Sequence, residues 1–145
     1  MKKIRIINEI KKYNKNQSDH IYIGYDDDCS VNGVIWNKVY DKILIVKFLI
    51  HDNYPFRAPT VLINNYNYIQ LLAKIKTNDK TCECCSSILC NWGPTCNLID
   101  IIKEIEQKYI KVHKQMEIML SKYVLQHKLI NYEHDIILEN IKKYI

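Results

Sequence analysis

The sequence reads as an α+β domain: an N-terminal helix, an antiparallel meander sheet, then C-terminal helices. Three features carry that expectation. Apolar residues near the N-terminus recur at helical spacing, at Ile4, Ile7, Ile10 and Tyr13. Three apolar, β-branched runs follow, IYIGY, VIWNKVY and KILIVKFLI, divided by turn-forming pieces such as DDDCSVNG. Beyond Pro94 the chain has neither glycine nor proline, and apolar residues again recur at three and four.

The first helix lies within MKKIRIINEIKKY and ends near Asn14 to Ser18, where polar residues replace the stripe. Consecutive strands joined by turn signals are most economically a meander. In DNYPFRAPTVLI, Pro55 and Pro59 bracket a rigid, extended connection, because proline lacks the ladder donor and biases its predecessor away from helix. Thr60 to Ile63 resumes as a short strand. After Pro94 a long helix is expected, begun by Thr95 or Asn97. Its buried stripe is Leu98, Ile101, Ile102, Ile105, Tyr109, Val112, Met116, Met119 and Tyr123, so the two methionines read as core rather than as a partner groove. A break within residues 125 to 130 precedes a last helix from about Ile130 to Tyr144.

A chain of 145 residues, 48% hydrophobic and 26% charged, is the size and composition of a single globular domain spanning 1–145. The net charge of +5 comes from 21 basic residues scattered among 16 acidic ones, without a basic and aromatic stripe, so no nucleic-acid partner is expected. Asn8, Glu9 and Lys11 interrupt the apolar residues of the N-terminus, which excludes a signal-peptide core or membrane span there. The expected setting is cytoplasmic, with the nucleus open and no membrane partner. In a reducing compartment the six cysteines are expected to be thiols.

Four of those six fall in TCECCSSILCNWGP, from Thr81 to Pro94. Such a cluster is a nucleophile, a metal site or a redox switch. Cys82, Cys84, Cys85, Cys90 and Cys96 are the thiolates available to zinc. Paired Cys-x-x-Cys knuckles are absent, the adjacent Cys84 and Cys85 are expected to point apart, and the chain beyond Cys96 is helical. No metal site and no cofactor are therefore expected. Cys29, Cys90 and Cys96 read as small hydrophobes. His51, His113, His127 and His134 read as ordinary surface or helix residues.

Four stretches, in order, resemble the ubiquitin-conjugating enzymes. MKKIRIINEI is similar to that family's first helix, with Arg5, Ile6 and Glu9 at matching positions. VYDKILIVKFLIHDNYPFRAPTVLI resembles its third strand, its Tyr-Pro-Phe-x-x-Pro connection and its fourth strand. NWGPTCNLIDIIKEI resembles the Trp-Ser-Pro segment leading into its second helix, and a cysteine stands where the family keeps its nucleophile. The match covers roughly residues 1 to 105, leaving 106 to 145 as a helical C-terminal extension. The combination is specific where each part alone is weak.

The resemblance implies a ubiquitin-conjugating-enzyme-like fold. It also implies a cysteine that accepts ubiquitin, or a ubiquitin-like modifier, as a thioester from an activating enzyme and passes it to a lysine or a ligase. A thiol suits that role because its thiolate is strongly nucleophilic and the thioester stays reactive toward amines. Counting back from Trp92 gives Cys84 as the nucleophile, whereas aligning Ile88 and Leu89 with the family's core pair gives Cys85. Cys85 is preferred, since a turn tolerates a deletion better than a core pair tolerates a shift. Cys82 ranks third. By the same resemblance, Arg5, Ile63, Gly93, Pro94 and Thr95 form the surface grasped by activating enzyme and ligase, with Ile63 as its exposed apolar anchor.

Two departures stand out. The family's His-Pro-Asn tripeptide, whose asparagine supports the oxyanion, is absent, and the corresponding stretch reads NNYNYIQLLAKIKTNDKT. Asn64, Asn65, Asn67 and Asn78 are candidate substitutes. The acidic residue two after the nucleophile is Ser87. A catalytically inactive variant that holds ubiquitin or a partner is the alternative, and a zinc-binding structural domain is a further one. The richness in Ile, Lys, Asn and Tyr reflects an AT-rich genome and fits a protist or a large DNA virus.

Overall fold

A computed structural model describes residues 2–15, 18–27, 30–75, 82–123 and 125. Cys29, Asn78 and the expected last helix lie outside them. The elements in order are α1 (Lys2–Lys15), β1 (Ile21–Asp27), β2 (Ser30–Asn37), β3 (Lys42–Leu49), β4 (Thr60–Ile63), β5 (Tyr66–Asn67), α2 (Tyr68–Lys74) and α3 (Leu98–Lys111). A further helical stretch runs over 113–123. No helix among the described residues is long and apolar enough to cross a membrane.

The five strands form one antiparallel meander in the order β1-β2-β3-β4-β5. Alternation sets its two faces. Leu44, Val46 and Phe48 of β3 point into the core, while Ile43 and Ile45 are exposed. On β2, Val31 and Ile35 point inward and Trp36 outward. The expected strand VIWNKVY is shifted, since β2 begins at Ser30 and 38–41 is the turn into β3, with Asp41 at a φ of 50°.

On α1 the buried stripe is Ile6, Ile10 and the half-buried Tyr13, not one that includes Ile4, which is 65% exposed. Ile6 and Ile10 are one turn apart, whereas Ile4 sits two residues, about 200°, from Ile6. The asparagine-rich stretch after β4 contains two elements that the pattern hid. Asn64 and Asn65 take φ of 47° and 70° and join Ile63 to Tyr66 in a two-residue hairpin, the left-handed conformation that asparagine tolerates. Asn67 then caps α2, its Oδ1 accepting from the Gln70 N–H at 3.0 Å.

Asn97, not Thr95, starts α3, exchanging hydrogen bonds with Asp100 in a capping box. Leu98, Ile101, Ile102, Ile105 and Tyr109 of α3 are buried. The expected uninterrupted helix is divided at Val112, whose φ and ψ of −124° and 37° leave the helical region. No glycine or proline marks this break. Immediately after it, His113 stacks on Tyr40 at 3.6 Å between ring centroids and meets Tyr109 edge-on. Beyond it, Met116 and Leu120 continue the buried stripe, so the methionines are core as expected.

Candidate active site

Glu9 on α1 draws three segments together. Its carboxylate accepts from Tyr54 Oη at 2.7 Å and from the Leu98 N–H that opens α3 at 2.9 Å, and it pairs with Arg5 Nε at 3.2 Å. Burial and the neighbouring Glu9 carboxylate push the Tyr54 phenol up, so it remains a donor. Trp92 Nε1 donates to the Pro55 carbonyl at 2.6 Å, tying the Tyr-Pro-Phe connection to the Trp-Gly-Pro loop. Arg5 Nη2 reaches the carbonyls of Pro94 and Cys96 at 3.3 and 3.4 Å. The start of α1 and the loop before α3 thus share one surface, on which Pro94 and Thr95 are exposed and Gly93 is half-buried.

Ile63 does not belong to that surface. It is wholly buried, pairing with Val46 across β3 and β4, because its position in the alternation of β4 points it inward. An apolar residue that is exposed is Phe56, 76% accessible beside the Pro55 carbonyl that Trp92 holds. Phe56 does not cover the core, whereas its neighbour Tyr54, 3% exposed, does.

The cysteine segment is a turn pinned to α3. The Ser86 N–H donates to the Cys82 carbonyl at 3.3 Å and the Ser87 N–H to the Cys84 carbonyl at 3.2 Å. Glu104 on α3 accepts from the Ile88 N–H at 2.6 Å and from Ser87 Oγ and Tyr68 Oη at 2.8 Å each. Ser87 is therefore buried, and Ile88 and Leu89 pack against the core as expected. Glu83 is also buried, at 1% exposure, with its carboxylate on Lys108 Nζ at 2.5 Å and Lys111 Nζ at 2.9 Å. Burial raises its pKa, but the two ammonium groups outweigh that and hold the carboxyl below its ordinary range.

This anchoring leaves two of the three sulfurs facing outward. Cys82 and Cys85 are exposed, and Cys84 is half-buried against the core. Cys84 and Cys85 do not point apart: the helical turn sets their Sγ atoms 4.0 Å from one another, and Cys82 Sγ lies 2.9 Å from Cys84 Sγ. Hydrogen bonds from the Cys84 side chain and from the Cys85 backbone and thiol hold Cys82 down at about 7. The same contact with Cys82, together with burial, pushes Cys84 up to about 12. Cys90 and Cys96 stand outside the three-sulfur group, and Cys90 is exposed rather than buried like a small hydrophobe.

Of the candidate oxyanion donors, Asn64 and Asn65 make the hairpin, Asn64 Oδ1 also accepts from the Ile45 N–H at 2.9 Å, and Asn67 caps α2. A residue not singled out in the sequence, Asn91, lies closer: its Nδ2 donates to the carbonyls of Cys85 at 3.1 Å and Ser87 at 3.0 Å.

An N-terminal helix, an antiparallel meander, the Pro55–Trp92 tie and α3 behind an exposed thiol turn make up one architecture. The chain has the fold of the ubiquitin-conjugating enzymes. It superposes on a ubiquitin conjugating enzyme E2 from Plasmodium falciparum with a TM-score of 0.52 and 19% identity, over 72% of this chain and 94% of that one. Against the human ubiquitin-conjugating enzyme E2 G1 the TM-score is 0.51 with 19% identity, over 72% of this chain and 90% of that one. At the level of sequence, no family model and no curated protein matches.

Proposed function

We propose that the chain is a ubiquitin-conjugating enzyme, accepting ubiquitin or a ubiquitin-like modifier from an activating enzyme as a thioester on Cys85 and passing it to a ligase or a lysine. The observation that carries this reading is an exposed thiol, Cys85, on a turn anchored to α3 within a ubiquitin-conjugating-enzyme fold. The Cys85 sulfur attacks the thioester carbonyl carbon of the incoming modifier. A new C–S bond forms as the bond to the activating enzyme's sulfur breaks, and that sulfur takes up a proton in place of the one the Cys85 thiol gives up. Solvent access is the first requirement for such an exchange, and Cys84, half-buried against the core, meets it less well than Cys85.

Partner binding belongs to the surface that joins Arg5, Gly93, Pro94 and Thr95, with Phe56 in place of Ile63 as the apolar anchor. Charging with activating enzyme, ATP and ubiquitin, read by intact mass and sensitivity to thiol, tests the proposal. Wild type forms a thiol-labile adduct that Cys85→Ala abolishes and Cys90→Ala retains. An adduct lost only in Cys84→Ala or Cys82→Ala reassigns the nucleophile. No adduct with any modifier favours the inactive binding module, a reading supported by the structural use made of Asn64, Asn65 and Asn67.

A further inference from the structure

The sulfurs of Cys82, Cys84 and Cys85 all lie within 4.8 Å of one another. Thiolates bound tetrahedrally to zinc at about 2.3 Å stand about 3.8 Å apart, a spacing bracketed by the observed 2.9 and 4.0 Å. Cys82 and Cys85 also stand at the spacing of a single Cys-x-x-Cys knuckle, with Cys84 inside it. Glu83, the one carboxylate inside the triplet, is turned away onto Lys108 and Lys111 and does not compete for the same space. That group carries two positive charges against one negative, which complements the single negative charge of zinc bound to three thiolates.

We infer that Cys82, Cys84 and Cys85 form an open three-thiolate site for zinc(II), its fourth position left to water or an incoming thiol, and that zinc occupancy and modifier loading exclude one another. Binding breaks three S–H bonds, forms three Zn–S bonds and releases three protons to solvent. The exclusion rests on the proposed thioester function, because a thiolate held by zinc is not free to attack. The zinc site itself does not rest on it.

The experiment titrates the full-length, reduced, chelator-stripped protein with zinc(II) against a chromophoric chelator, and with cobalt(II) for its sulfur charge-transfer bands. Expected are one equivalent bound, a rise in Tm with zinc, and affinity weakened roughly 100-fold or more in Cys82→Ser and Cys85→Ser. Cys90→Ser and Cys96→Ser bind like wild type. Absence of stoichiometric binding, or binding indifferent to Cys82 and Cys85, overturns the site. Charging of the zinc-free protein that stoichiometric zinc leaves unchanged overturns the exclusion. A protein that binds zinc through these thiols yet never charges when stripped keeps the site and loses the enzyme reading.

Discussion

Glu104 accepts the backbone N–H of Ile88 at 2.6 Å, so a carboxylate on α3 fixes the loop that carries the cysteines. Ser87 Oγ and Tyr68 Oη share the same carboxylate, which joins α2, the thiol turn and α3 at one point. Glu104→Ala leaves these donors without their acceptor. It is expected to cost about 3 kcal/mol in urea unfolding. Glu104→Gln, which keeps an acceptor but not the charge, recovers part of that, and a Glu104→Ala protein as stable as wild type would refute the role.

Lys108 and Glu83 form the second anchor. With 11% of the Lys108 side chain and 1% of the Glu83 side chain exposed, the pair is buried enough that removing one partner strands the other. Lys108→Met is expected to destabilise by about 3 kcal/mol, somewhat moderated by Lys111. The double variant Glu83→Gln with Lys108→Met should lose well less than the sum of the singles. Additive losses would show that the two residues act independently.

Phe56 and Ile63 part company in a paired test. Ile63→Ala opens a cavity among buried residues and should cost about 2 to 5 kcal/mol, seen as a lower Tm. Phe56→Ala removes an exposed ring and should leave Tm unchanged while slowing ligase-dependent discharge about tenfold. The reverse pattern would return the anchor to Ile63.

Trp92→Phe keeps an aromatic ring but loses the donor to the Pro55 carbonyl. The expected loss is about 1 kcal/mol, because that carbonyl has water as an alternative partner. Hydrogen exchange should rise on both sides of the tie, in the 51–59 connection and in the 91–97 loop. A change confined to one segment would separate them.

The helices at either end of the sheet and the order of the strands were legible because period and punctuation are local properties. Ile10, Leu98 and Ile105 declare themselves by spacing, whereas the stripe suggested by Ile4, Ile7 and Ile10 passes over the buried Ile6. Asn64 and Asn67 were ambiguous for the opposite reason: one residue type serves turns, caps and oxyanion holes, and only the backbone dihedrals and the Gln70 N–H distinguish these uses. Ile63 was misplaced because a strand residue's facing depends on register, which one sequence position does not reveal. Glu104 was missed because, within IIKEIEQ, nothing separates it from Glu106 until the fold brings Ser87 and Ile88 beneath it. The convergence of three sulfurs likewise depends on a turn with no residue of its own to announce it.

The strand β5 is two residues long and passes at Asn67 directly into a capped helix. An edge that short offers almost no row of free donors and acceptors for another chain to extend. Self-assembly by strand addition is thereby closed on that side, leaving β1 as the opposite edge of the sheet.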